Sequence, residues 1–457
     1  MTAILKTPAA WPAILLRRDG AEAGVEPKLG ADPKPGAGAP TATFEGLRRT
    51  VRELGGQGTI ALLAEAGLRG RGGSGFPTAD KWRAAALAEA PAKYVVANGY
   101  GADPSSLTDR TLMEREPAAV VEGAAIAAWA IGAEEAIIAV RAGSTDAIAA
   151  LQGAIAAALS SGELGDDVLG TGRRLVVEVR TVQGAYMLGE ETVLLKALDG
   201  KRGQPEQRPP HPSTDGYRGM PTVVQNVQTL AAAAWILRNG AAAFRATGTA
   251  DNPGTILVQV AGDERGGVAE VPFGTPLGDI VKLAGGAGAG RSIKAVLVGG
   301  PSGGILPADR LSTPYTFEAL RLLGAHVGSG SIMVADDRAC VVDLARVLTR
   351  FCADEACGKT IPCRIGTARL AEIGERMSAG TSRANDLQLA TDLSDDIVGS
   401  ALCDHERLAT LPLMSGLRYF GPEVEAHVER GECPAGVCRP IHLAASAPTA
   451  PQPTMAS

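Results

Sequence analysis

The sequence predicts an α/β protein that continues into a small α+β module and ends in helices, and three observations lead there. Apolar runs of strand length alternate with helical periodicity through about residue 245, the pattern of a sheet covered by helices. From residue 254 the texture changes to short strands around one short helix. From about residue 341 the apolar spacing is helical to about residue 429, and all seven cysteines lie after position 339.

In chain order, residues 19–41 are rich in glycine, proline and alanine and read as a linker or poorly ordered arm. Helical periodicity over 44–65 leads into a glycine-rich loop. Residues 92–97 read as a strand ending at Asn98, followed by a long apolar helix over 115–132 and a buried strand over 135–141. A helix near 146–160 and a strand over 174–180 come next. In the α+β module, strands are predicted over 255–261, 267–272 and 294–299, around a helix over 277–284. The tail from residue 444 is alanine, serine and proline, a composition that predicts disorder.

The length of 457 residues suggests two to four domains, and 45% hydrophobic residues suffice for their cores. A net charge of -6 argues against nucleic acid as a main partner. No run of 18 apolar residues occurs, so no membrane span is predicted. The first 18 residues carry Lys6, Pro8 and Pro12 and lack the apolar stretch of a secretory signal. The expected location is a bacterial cytoplasm, where thiols stay reduced and can bind metal.

Thiolates gathered at one end of an otherwise cysteine-free chain call for iron or zinc. Cys357 and Cys363 bracket the segment Cys-Gly-Lys-Thr-Ile-Pro-Cys. His427, Cys433 and Cys438 follow at compact spacing, and Cys340 would complete a tetrahedral Cys3His zinc set; the alternative is free thiols beside an incidental histidine. In the loop Gly67-Leu-Arg-Gly-Arg-Gly-Gly-Ser-Gly-Phe-Pro-Thr78, Gly70, Gly72, Gly73 and Gly75 either let backbone N–H groups approach a phosphate or simply make a tight turn. Lys81 is a phosphate counter-charge or a solvated surface lysine. Glu190 and Glu191, after Gly189, either orient the amide edges of a nicotinamide or flavin or favour a helix N-terminus. The proline-rich run 200–212, with Arg208 and His211, reads as an anion-lined entrance or a solvated loop.

Six motifs occur in order: the glycine loop, Thr108-Asp-Arg-Thr-Leu-Met-Glu-Arg-Glu-Pro117, Gly189-Glu-Glu-Thr192, Pro221-Thr-Val-Val-Gln-Asn226, Gly299-Gly-Pro-Ser-Gly-Gly304 and Cys357-Gly-Lys-x-x-Pro-Cys-Arg364. Together they resemble the flavin-bearing, NADH-oxidising subunit of respiratory complex I over residues 45–440. The same subunit type occurs as the β subunit of NAD-dependent formate dehydrogenases and NAD-coupled hydrogenases. The resemblance implies a Rossmann-like FMN and NADH domain over 45–248, a ubiquitin-like β-grasp (SLBB) module over 249–335 and a helical iron–sulfur domain over 336–440. An arm over 1–44 and a disordered tail over 441–457 would flank them. The implied chemistry is hydride transfer from NADH to FMN, then one-electron transfer to a 4Fe-4S cluster.

Carried over residue by residue, the resemblance assigns FMN to Gly70, Gly72, Gly73, Lys81, Asn98, Tyr186, Gly189, Glu190, Asn226 and Thr229. It assigns NADH to Phe76 and Glu191, with Asp103 and Arg208 in its outer part, and it makes Glu191 the catalytic residue. It assigns the cluster to Cys357, Cys363 and Cys403, with Thr360 where the family has its middle cysteine. Three other departures stand out. Asn98-Gly99-Tyr100-Gly101 replaces Asn-Ala-Asp-Glu, so two carboxylates beside the flavin are gone. His211 replaces a phenylalanine that stacks on adenine, and Gln225 replaces an asparagine. Cys433-Pro-Ala-Gly-Val-Cys438 and Lys81-Trp-Arg-Ala84 favour the formate dehydrogenase or hydrogenase type. The implied partners are a small 2Fe-2S ferredoxin- or thioredoxin-like subunit and a larger catalytic subunit. Tyr100, Gly101 and Thr360 motivate the alternative of a catalytically degenerate scaffold of the same family.

Overall fold

Strands that are apolar on both faces must be covered on both faces, and the first sheet shows why. β1 (Tyr94–Gly99), β2 (Glu135–Arg141), β3 (Val176–Val182) and β4 (Thr222–Asn226) form a parallel sheet in the order β3-β2-β1-β4. Val95, Ala97, Ile138 and Val140 enter one core with helices α1 (Gly55–Ala66), α2 (Thr78–Leu87), α3 (Pro117–Ile131) and α4 (Val227–Asn239). Val96, Ile137 and Ala139 enter a second core with Met187, Leu188 and helix α5 (Glu191–Leu198). Helices α3 and α4 approach so closely that a Cβ on Gly123 would lie 2.1 Å from the Leu230 carbonyl oxygen. This computed structural model describes residues 2–17, 44–263 and 265–438; the predicted 19–41 arm and the tail from 441 lie outside them.

The second sheet is mixed, in the order β6-β5-β9-β7-β8. It comprises β5 (Thr255–Ala261), β6 (Gly266–Pro272), β7 (Ile293–Val298), β8 (Gly304–Pro307) and β9 (Ser331–Asp336). β5 and β9 pair in parallel and the remaining pairs are antiparallel. Helix α6 (Leu277–Leu283) and Tyr315 pack on one face. The other face, with Ala295, Leu297 and Ile305, meets α7 (Val341–Asp354), α8 (Ala368–Ser378), α9 (Asp386–Gly399), α11 (Leu411–Tyr419) and α12 (Gly421–Glu429), in sequence around the short α10 (Asp404–Leu408). Lys294 bridges Glu423 at 2.8 Å across that seam. No described helix is long and apolar enough to cross a membrane.

Three strands were not predicted. β4 has five residues and ends in Gln225 and Asn226, so its apolar run is too short to announce itself. β8 has four residues. β9 depends on pairing with β5 and β7, distant in sequence. Near the start of the chain, Ile4 bridges Val268, and the amides of Ile14, Leu15 and Leu16 donate to the buried Glu270 carboxylate at 2.8–2.9 Å.

Candidate functional site

The strand order reverses between β1 and β4, and ligands of open α/β sheets bind outside the carboxyl ends of strands at such a point. Asn98 and Asn226, at those ends, lie side by side in register. The glycine loop folds over this edge. It is closed by Gly70 N–H to the Phe76 carbonyl and Thr78 N–H to the Leu68 carbonyl, both 2.9 Å. Gly70 therefore closes the loop rather than offering its amide outward. Gly75 requires glycine, because φ is +66° and a Cβ would sit 2.8 Å from the Phe317 ring. Thr229 Oγ1 accepts the Arg71 amide at 2.8 Å and anchors the loop from beneath. Among the described residues, no protein acceptor takes the amides of Gly72, Gly73 and Ser74. Exposed amides on a glycine backbone fit a phosphate.

The interleaved arginines do not join them. Arg69 pairs with Glu318 at 2.6 Å and lies over the Phe317 ring. Arg71 is buried, donates to the Pro253 and Thr255 carbonyls, and is pushed down to about 9 by burial and by Arg69. The positive charge at the crevice is Lys81, one turn into α2. Its Nζ donates to Glu191 at 2.7 Å and to the Val224 carbonyl at 3.1 Å. Arg208 lies 3.2 Å from Glu191 and also pairs with Glu190. Burial pushes the Glu191 carboxyl up, but Lys81 and Arg208, helped by His211, hold it below the ordinary carboxylate value. Glu190 caps α5, accepting the Thr192 and Val193 amides at 2.9 Å each. The adjacent carboxylates thus divide the two roles: Glu190 serves the helix and Glu191 the crevice.

Asn226 caps α4 through the Gln228 amide, and its Nδ2 donates to Asp109 at 2.7 Å. Asp109 is partly buried, and desolvation pushes its carboxyl up to about 6. Asn98 Nδ2 donates to the Gly189 carbonyl at 3.4 Å. Phe76 is exposed, with Lys81 Nζ 6.0 Å from its ring centre. These residues form one ring around the sheet edge. Two others lie elsewhere. Tyr186 bonds Ser302 at 3.0 Å and packs edge-on against Phe351 and His405, facing the C-terminal helices. Asp103 is buried, with its carboxylate taken by Ser105 and Ser329, so it does not face the open crevice. Tyr100, replacing a carboxylate, is also buried; it donates to the Gly184 carbonyl and lies under Arg141 at 4.4 Å.

Two thiol groups occupy the C-terminal region. Cys340, His427, Cys433 and Cys438 form a candidate metal site, with all ligand atoms within 4.8 Å of one another. Cys340 Sγ lies 3.5 Å from His427 Nε2 and 3.6 Å from Cys438 Sγ. A tetrahedral zinc with bonds of about 2.3 Å needs thiolates about 3.8 Å apart, so this donor set fits. His427 Nδ1 is paired with the Glu423 carbonyl at 2.8 Å, which turns Nε2 toward the sulfurs. Cys357, Cys363 and Cys403 form the second group, with Cys403 and Cys357 near enough to act on the Cys363 thiol. Burial pushes the Cys363 thiol up to about 12, reinforced by Glu406, Cys403 and Cys357 in that order. Cys352 points at the Pro301 carbonyl instead. The residue missed by sequence reasoning is Glu406, buried three positions after Cys403 and bonded to the Thr360 hydroxyl.

Residues 63–235 match the Nuo51 FMN-binding domain, and residues 343–427 match the NADH-ubiquinone oxidoreductase-F iron-sulfur binding region. The chain belongs to the complex I-type NADH-binding flavoprotein family. It is 39% identical over 397 residues to the NADP-reducing hydrogenase subunit HndC of Solidesulfovibrio fructosivorans, covering 86% of this chain and 81% of that one. It is 38% identical over 393 residues to an NADH-quinone oxidoreductase subunit of Rhizobium meliloti, covering 86% and 93%. A crystal structure of an NAD+-reducing NiFe-hydrogenase superposes with a TM-score of 0.76 at 35% identity, covering 85% of this chain; the match spans 65% of that hydrogenase chain. Membership makes this an oxidoreductase subunit of the NADH dehydrogenase type, with FMN and an iron–sulfur cluster as cofactors.

Proposed function

We propose that this chain is the NADH-oxidising, or NAD-reducing, flavoprotein subunit of a cytoplasmic multi-subunit oxidoreductase of the formate dehydrogenase or hydrogenase type. The observation that carries this reading is the Lys81–Glu191–Arg208 network set beside the glycine loop at the strand-order reversal. FMN, when bound, accepts a hydride from NADH and passes electrons on singly. The loop amides of Gly72 and Gly73 hold its phosphate, and Lys81 supplies counter-charge. Glu191 is held ionised and turned to the crevice, where it orients the nicotinamide beside the exposed Phe76. Arg208 fixes Glu191 and faces the outer part of the dinucleotide. Asn98, Gly189, Glu190, Asn226 and Thr229 set the shape of the pocket through the bonds described above.

Cys357, Cys363 and Cys403 hold the cluster, and Cys340, His427, Cys433 and Cys438 hold zinc. The sheet order β6-β5-β9-β7-β8, with its central parallel pair, supports the β-grasp reading of residues 249–335. The helices from Val341 to Glu429 support a separate iron–sulfur domain. Relatives named as subunits of hydrogenase and quinone oxidoreductase support partners of the kind predicted, a small 2Fe-2S chain and a larger catalytic chain. A second reading, the catalytically degenerate scaffold, draws on Tyr100, whose buried ring stands where the family has a carboxylate. The visible spectrum of anaerobically purified protein separates the two. Flavin bands that bleach on adding NADH support the enzyme; a colourless protein, or bands inert to NADH, support the scaffold.

A further inference from the structure

A four-iron cluster has four corners, and this chain offers three thiols with Thr360 at the remaining position. A threonine hydroxyl is a neutral, weak donor to iron. Here it is already engaged, donating to Glu406 Oε1. The other oxygen, Oε2, accepts the Leu402 amide at 2.5 Å. Glu406 is 3% exposed and sits on α10, the short helix capped by Cys403.

A buried carboxylate ordinarily has a cation partner or a full set of hydrogen-bond donors, as Glu270 has in three backbone amides and the Thr255 hydroxyl; Glu406 has only the Thr360 hydroxyl and the Leu402 amide. Among the described residues no lysine or arginine pairs with Glu406. The nearby cations are committed elsewhere, Lys359 to Glu206 and Arg407 to Asp404. A metal ion is the remaining kind of positive partner, and iron accepts carboxylate oxygen as well as thiolate sulfur. The neighbouring His405 is the rival donor, since its Nδ1 is buried without a partner. Its Nε2 is bonded to the Cys352 carbonyl at 3.0 Å and its ring lies against Tyr186, but the Thr360 hydroxyl, at the position of the missing cysteine, bonds Glu406 and not His405.

We propose that Glu406 is the fourth ligand of the iron–sulfur cluster, with Thr360 as the positioning residue that holds its carboxylate at the corner a cysteine would fill. This rests on the cluster reading above. The cluster would then be a four-iron one with three thiolates and one carboxylate, and the carboxylate-bound iron would be the first to leave, because oxygen is the harder and poorer match to a cluster iron.

The full-length protein, reconstituted anaerobically with ferrous iron and sulfide, tests this in the parent and in Glu406→Gln, Glu406→Cys and His405→Gln. Iron and sulfide are counted per protomer, and paramagnetic resonance spectra are taken oxidised and reduced. Expected are about four irons in the parent. Glu406→Gln should lose about a quarter of the iron and gain the oxidised-state signal of a three-iron cluster. Glu406→Cys should keep the iron, change the reduced-state signal and slow iron loss in air. His405→Gln should resemble the parent. If Glu406→Gln does not fold, Glu406→Cys decides, and a signal and lability identical to the parent overturn the proposal. It is also overturned by parent-like iron in Glu406→Gln, by a parent that is itself three-iron, or by loss of the fourth iron in His405→Gln. A parent that takes up no iron overturns this proposal and the cluster reading together.

Discussion

The crevice at the sheet edge and the thiol region hold their functional groups by different means. At the crevice, charges are balanced within the protein: Lys81 lies against Glu191, and Arg208 against both Glu190 and Glu191. In the thiol region, among the described residues, ion pairs such as Lys359–Glu206 and Arg407–Asp404 leave Glu406 without a cation. Cys340, Cys433 and Cys438 surround one imidazole at metal-ligand distances, and Cys363 has Glu406 as its strongest charged neighbour. The crevice is therefore shaped by ion pairs made within the protein. The thiol sites gain their cohesion from metal, since a coordinated thiolate carries its own counter-ion. The two thiol groups are also separate from each other: Cys340 meets His427 and Cys438, whereas Cys363 neighbours Cys403 and Cys357.

The largest expected effect follows from that separation. Cys433→Ser should abolish zinc binding and destabilise the C-terminal helices by several kcal/mol, a fraction of the roughly 10 kcal/mol that structural zinc contributes. Its iron content should match the parent; metal analysis that finds iron falling together with zinc would merge two sites kept apart here.

Next is the partly buried Asp109 carboxyl behind the crevice. Asp109 is raised to about 6, so the native state keeps its proton where the unfolded chain, near 3.9, has lost it. Stability should fall as pH rises from about 4 to about 6, by up to roughly 3 kcal/mol. Asp109→Asn should flatten that slope in denaturant titrations, and an unchanged slope would remove Asp109 as its source.

Lys81→Ala comes third. It removes one charge-assisted contact, worth roughly 1.5–3 kcal/mol, or about 10- to 150-fold in flavin affinity. It also leaves Glu191 with Arg208 alone. Reconstitution titrations should show the loss, and undiminished affinity would place the phosphate elsewhere.

Much of this was legible in the sequence, and what was not had a physical reason. β2 announced itself because Ala136–Val140 is apolar and buried throughout. The Cys433–Cys438 pair did so because its spacing is local. β4 did not, being five residues long with a polar end. Tyr186 and Asp103 came from resemblance, yet their contacts with Ser302 and Ser329 are made across long stretches of chain. Arg69 and Arg71 look cationic in a phosphate loop, but the fold commits both to protein partners, Glu318 and the Gly75 carbonyl for Arg69 and the Pro253 carbonyl for Arg71. Glu406 carried no local signal at all; only the fold brings it to Thr360, 46 residues away.

Glu191 is proposed to address the nicotinamide, and the glycine loop and Lys81 the flavin. Stopped-flow reduction by NADH of flavin-loaded parent and Glu191→Gln separates these roles. The parent flavin should bleach, and Glu191→Gln should bleach at least about tenfold more slowly, the cost of one lost charge-assisted contact, while its flavin content stays near that of the parent. Equal rates in the two proteins, or a parent flavin that NADH does not reduce, would contradict that assignment.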